Sequence, residues 1–151
     1  MQRTLEVTRT SRKVLDQYFE NYTLEQLNKV PEGFNNNLIW NMGHIVVVQQ
    51  MIIYKLSGLP MLVSDDMIAK YKRGTRPERD ATQEEADEIR ALLFPPIDKV
   101  GADLKNGVFK TFSEFTSLSG FTMNSAEDAI EFNNYHEAMH IGMMMSIRKF
   151  I

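Results

Sequence analysis

A chain of 151 residues, 43% hydrophobic and 25% charged, has the size and balance of one globular domain with a substantial core. Its net charge of −3 provides no basic field for a polyanion, which argues against nucleic acid as a partner. The absence of cysteine removes disulfides, thiolate metal sites and a cysteine nucleophile from consideration.

The N-terminal residues Met1 to Glu6 carry no apolar core of a signal peptide. The longest apolar tract, Ile45 to Ile53, is interrupted by Gln49 and Gln50 and is too short to span a bilayer. A cytoplasmic protein with no membrane partner is the expectation.

In chain order, the pattern predicts four long helices. The first runs from Leu5 to Phe19, with Leu5, Thr8, Leu15 and Phe19 near one face. Thr23 stands three residues before Gln26, the spacing of a capping box, so a short helix follows until Pro31 and Gly33 stop it. The second long helix opens at Asn36 or Asn37 and closes at Ser57-Gly58, ahead of Pro60. It is apolar almost all round, which places it deep in the domain. Ser64 caps a short amphipathic piece, Asp65 to Tyr71, and a polar loop from Lys72 to Ala81 carries Arg73, Arg76 and Arg79. Thr82 with Glu85 opens the third long helix, which reaches Lys105 with a kink or break at Pro95-Pro96 and ends at Asn106-Gly107. Val108 to Thr122 reads as an irregular or extended crossover. Ser125 with Asp128 caps the fourth long helix, which continues to the C-terminus. The predicted architecture is one all-α domain over residues 1–151, a four-helix bundle with long crossover connections.

Candidate chemistry lies on the second and fourth long helices. His136 and His140 are four residues apart, so they project about 40° from each other and about 6 Å along the axis. Two imidazoles at that spacing can reach one metal ion from a single helix. His44 takes an inner position on the most apolar helix, one turn after Trp40, whose ring either lines the cavity or simply packs in the core. These are the only histidines in the chain, and each falls on the inner face of a helix. A divalent metal bound by His44, His136 and His140 is the reading that gives all three rings a partner; the alternative is a set of hydrogen-bonded core histidines.

His136-Glu137-Ala138-Met139-His140 also fits the HExxH pattern of zinc proteases. Those enzymes take their third ligand from farther along the chain, yet Ile141 to Ile151 contain no His, Asp or Glu. The third ligand has to come from upstream. Glu137 points about 100° from His136 and 60° from His140, toward either the metal's rim or solvent. It is thus a candidate general base, or else a solvated helix charge or a partner for Arg148 of a neighbouring chain.

Three stretches together carry a resemblance: Pro31 to Asn37, Ile39-Trp40-Asn41-Met42-Gly43-His44-Ile45, and Phe132 to Gly142. In order and spacing they resemble the DinB/YfiT-like superfamily over nearly the whole chain. The resemblance implies a four-helix bundle with one ligand histidine on the second helix and two on the fourth, hence His44, His136 and His140. It implies zinc, nickel, iron or manganese as the metal. Many members follow the glycine with glutamine, where this chain has Met143, so a polar group is missing near the rim. Better-understood relatives transfer low-molecular-weight thiols such as bacillithiol or mycothiol. The resemblance therefore implies a metal-dependent enzyme of the thiol S-transferase type, acting on a small molecule.

Two alternatives stand beside that reading: a hydrolase using metal-activated water assisted by Glu137, and a non-catalytic metal-binding or dimerisation module. The arginines of the loop, Arg73, Arg76 and Arg79, either meet carboxylates of a thiol cofactor or are solvated. The fourth helix has more apolar surface than one inward face needs, including Met139, Met143, Met144 and Met145. A homodimer is expected, with Val7, Val14, Leu15, Tyr18 and Tyr22 of the first helix as the complementary face, unless the crossover Val108 to Phe121 covers that surface.

Overall fold

A computed structural model describes residues 1–151. Helix α1 spans Gln2–Asn21 and buries Thr8, Arg12, Leu15 and Tyr18. It runs slightly beyond the predicted span because nothing breaks it before Thr23, whose extended backbone is needed to cap α2 (Leu24–Asn28). There the Thr23 hydroxyl accepts from the Gln26 N–H and the Gln26 side chain accepts from the Thr23 N–H, at 3.2 and 2.9 Å.

Asn37 accepts from the Trp40 N–H at 2.9 Å and opens α3, Leu38–Gln50. The rod continues as a wider π-helical turn, Met51–Lys55, and ends near Gly58, whose φ of +69° is costly for any residue with a side chain. Ser64 caps α4, Asp65–Tyr71. The third long helix is two helices, α5 (Gln83–Ala91) and α6 (Pro95–Lys105), separated at Leu92 to Phe94. Proline has no N–H for the helix ladder, but at the first position of α6 none is required.

The crossover contains a small hairpin, β1 (Phe115–Thr116) antiparallel to β2 (Thr122–Met123), with Phe115 opposite Met123. Ser125 caps α7, Ala126–Ile147, and a 3-10 turn, Arg148–Phe150, follows.

Helix α7 packs against both α1 and α3, while α6 packs against α1 and α5 against α3. This is the four-rod bundle predicted, with α5 and α6 sharing one rod. No helix is long and apolar enough to cross a membrane. The larger core cluster joins Leu15 of α1, Ile39 and Val46 of α3, Ile89 of α5 and Ile147 of α7. Each such side chain contributes about 1.5–3 kcal/mol when removed from water. The second cluster gathers Ile52, Ile53 and Tyr54 of the π turn with Val100 of α6 and Ala129 and Ile130 of α7.

Crossover phenylalanines Phe109 and Phe112 pack on that second cluster. Phe121 lies over Phe132 and Tyr135 of α7, with centroid separations of 5.7 and 5.1 Å. Part of the surplus apolar surface of α7 is therefore covered, while Met139, Met143 and Met145 stay exposed. On α1, Leu15 and Tyr18 belong to the core, so only Val7 and Val14 of the expected complementary face lie exposed at the surface.

Candidate metal centre

The contact between α3 and α7 brings His44 together with His136 and His140. One ring nitrogen from each lies within 4.8 Å of the other two. Three nitrogens at about 2.1 Å from one ion sit roughly 3.4 Å apart in tetrahedral geometry, so small side-chain rotations close the cluster onto a metal. His44 and His136 are buried and His140 is partly exposed, so the cluster reaches solvent along the His140 side.

Two rings have their tautomer set by the fold. The Nδ1 of His44 lies 2.6 Å from the Tyr71 carbonyl oxygen, which only accepts, so Nδ1 carries the proton. The Nδ1 of His140 lies 2.7 Å from Asn41 Oδ1. The Asn41 amide nitrogen donates to the Asn37 carbonyl at 2.7 Å and to Asn36 Oδ1 at 3.0 Å, which fixes Oδ1 as the acceptor facing His140. Both rings therefore present Nε2 with its lone pair free, as a metal ligand requires. His136 differs: its Nδ1 is buried and has no hydrogen-bond partner.

All three rings are held neutral. Burial, followed by the neighbouring His140, His44 and Arg12, lowers the His136 pKa to about 2. Burial and His44 lower that of His140 to about 4. Burial also lowers that of His44, opposed by its bond to the Tyr71 carbonyl. Neutral imidazoles whose free lone pairs converge are the donor set that a divalent transition metal takes. The residues fit the ion.

Two neighbours shape the cluster. The Trp40 ring stacks on His44 at 4.7 Å and 15°, and its Nε1 donates to the Thr75 hydroxyl at 3.2 Å. Trp40 is thus both a packed core residue and a wall of the centre. Gly43 lets α4 approach α3: a Cβ there would stand 2.7–2.9 Å from the Tyr71 ring. That close approach is what holds the Tyr71 carbonyl against His44.

Glu137 lies neither at the rim nor in solvent, and its partner is not Arg148. It is fully buried and faces α1, where Arg12 Nε lies 3.0 Å from both carboxylate oxygens and Nη2 lies 2.8 Å from Oε1. Asn133 Nδ2 donates to Oε1 at 2.8 Å, and Arg12 Nη1 reaches the Leu93 carbonyl at 3.4 Å. Sequence reasoning missed Arg12, although it shares a helical face with Thr8 and Leu15 and so placed a charge on the inward stripe of α1.

The three loop arginines separate. Arg79 forks onto Glu85 at 2.9 and 2.8 Å, and Lys70 contacts the same carboxylate. Arg73 is exposed. Arg76, also exposed, lines a cavity of about 290 Å³ together with Asn37, Trp40, Tyr71 and Thr75. Trp40 touches both regions: it lines this cavity and stacks on His44.

A helical bundle with three neutral histidines converging between two of its rods defines a class of proteins built to hold a metal ion between helices. The family model of the DinB superfamily matches residues 8–144, and the chain belongs to that superfamily. No curated protein matches the chain.

Proposed function

We propose that this protein binds one divalent transition metal through His44, His136 and His140, and that it is an enzyme transferring a low-molecular-weight thiol to an electrophilic small molecule. The convergence of three neutral imidazoles, two with their Nδ1 protons tied to fixed oxygens, carries the metal reading. A divalent ion bound there supplies Lewis acidity, lowering the pKa of a thiol or a water brought to it.

The chain's own groups favour thiol chemistry over hydrolysis. Glu137, the base a hydrolase would use, is occupied by Arg12 and Asn133. A thiol, at an ordinary pKa near 8.5, ionises far more readily than water and needs less help from a protein base. With no cysteine in the chain, the sulfur has to come from a bound co-substrate. In the transfer, that thiol gives its proton to solvent, its sulfur forms a bond to the electrophilic carbon, and the leaving group departs with its electron pair. Trp40 walls the reaction space beside His44. Arg76, exposed on the rim of the adjoining cavity and with no carboxylate partner, provides an anchor for an anionic end of the thiol.

The test is elemental analysis of untagged protein. One equivalent of metal is expected, and the H44A protein should retain none. A full, tightly held equivalent in H44A would remove His44 from the site. Turnover of an electrophile with a bacterial low-molecular-weight thiol, lost in H44A, tests the reaction.

We further propose a homodimer through the exposed apolar strip of Tyr135, Met139 and Met143, a surface suited to methionine's adaptable packing. Light scattering is expected to give twice the 17.5 kDa of one chain. A monomer at micromolar concentration would end this part of the proposal.

A further inference from the structure

Three buried side-chain polar atoms in the chain have no hydrogen-bond partner: the Tyr18 hydroxyl, Asn133 Oδ1 and His136 Nδ1. Two of them stand one turn apart on α7. One is an acceptor, and the other is a ring nitrogen that can donate. An unpaired buried polar group is unfavourable, so an acceptor and a potential donor at i and i+3 can satisfy each other.

The Asn133 amide is not free to turn. Its Nδ2 donates to Glu137 Oε1 at 2.8 Å, and a carboxylate held by an arginine fork can only accept. The nitrogen must face Glu137, so the oxygen must face away from it. Arg12 fixes Glu137, Glu137 fixes the flip of Asn133, and the outcome is an oriented acceptor on the stripe that carries His136. His44 and His140 already have such an oxygen at Nδ1, from Tyr71 and Asn41. His136 alone lacks one.

We propose that Asn133, held by the Arg12–Glu137 pair, is the positioning residue of His136: its Oδ1 accepts the Nδ1 proton, through one buried water or after a small rotation of the His136 ring, so that Nε2 faces the metal. The inference rests on the metal reading above. It gives all three ligands the same arrangement, an oxygen behind each ring, and assigns the glutamate of the HExxH string to supporting a ligand instead of moving protons. The competing arrangement, with His136 Nδ1 itself on the metal, would leave Asn133 Oδ1 an unpaired buried acceptor.

Nitrogen-15 spectroscopy of histidine-labelled protein decides between them, since only three ring systems contribute. In metal-free and zinc-loaded wild-type protein, His136 is expected to carry a slowly exchanging proton on Nδ1, with zinc on Nε2. In N133A that proton should exchange rapidly and zinc affinity should fall about 10–100-fold, with the His44 and His140 signals unchanged. The double variant R12M/E137L replaces the ion pair by apolar groups of similar bulk and so preserves folding even where N133A does not. It frees the Asn133 amide and should likewise give a mixed His136 tautomer and weaker zinc binding. Wild-type zinc affinity in both variants, or wild-type coordination through His136 Nδ1, overturns the role of Asn133 while leaving the metal site intact. A wild-type protein that takes up no zinc, nickel, iron or manganese overturns the metal reading and this inference together.

Discussion

Two polar clusters share the core along α7, and their hydrogen bonding differs in kind. The Arg12–Glu137 pair is closed: both carboxylate oxygens are occupied, and Asn133 and the Leu93 carbonyl take up further valence around the pair. The three histidines are open: the Nδ1 atoms of His44 and His140 are tied to fixed oxygens, that of His136 has no partner, and the other nitrogen of each ring makes no protein hydrogen bond. A closed buried pair has no free valence for a ligand and can act on the site only through its neighbour Asn133. An open cluster leaves donor nitrogens without a protein partner, an arrangement compatible with a bound metal ion.

This contrast is broken most forcefully at the ion pair. R12A or E137A alone strands a buried charge and should lower stability by about 3–5 kcal/mol, while R12M/E137L should come out near neutral. Urea unfolding of the metal-free proteins measures both. Equal losses in the single and double variants would show that packing, not the stranded charge, sets the cost.

The next effect links the clusters to the backbone. G43A drives a methyl group into the Tyr71 ring, so overpacking should cost about 1–3 kcal/mol. Displacing Tyr71 also moves the oxygen behind His44, and metal affinity should drop with stability. Unchanged metal affinity in a destabilised G43A protein would separate the packing of Tyr71 from its role behind the ligand.

The smallest effect per step is the response to acid. In the metal-free fold, His140 gains a proton only near pH 4 and His136 near pH 2, whereas unfolded histidines do so near 6.5. Between those values the unfolded chain binds more protons. Stability is therefore fully present above pH 6.5 and falls as pH drops, by about 1.4 kcal/mol per pH unit for each such histidine. Denaturation midpoints of metal-free protein between pH 7 and 4.5 should show this fall, and H136A should show a shallower one. A flat profile would mean that the rings are solvated.

Much of this arrangement is legible in the sequence because it is local. Asn37, Thr82 and Ser125 announce their helices through side chains only three residues from the N–H groups they accept. The pairing of His136 with His140 follows from one helical turn. The break before Pro95 follows from a missing N–H. Partners distant in sequence are not legible in this way. Arg12 meets Glu137 across 125 positions, and Asn41 meets His140 across 99, so no window along the chain contains either pair. Arg12 still left a trace, a charge in phase with Thr8 and Leu15, which demands an opposite charge somewhere in the core. Glu137 left a matching one, since it lies about 20° from Ile130 around α7, within the buried sector. The split of the loop arginines had no such trace, because it depends on which of them Glu85 captures.

The wide turn Met51–Lys55 separates two packing duties within one rod. Before it, α3 carries His44 and packs into the larger core; after it begins, Ile52, Ile53 and Tyr54 pack into the second. A π turn accommodates one extra residue locally, so deleting one residue within Met51–Lys55 should close it to an ordinary α turn and leave His44 and the segment beyond it in their packed registers. The turn therefore lets one rod serve two cores, with the extra residue absorbed between them.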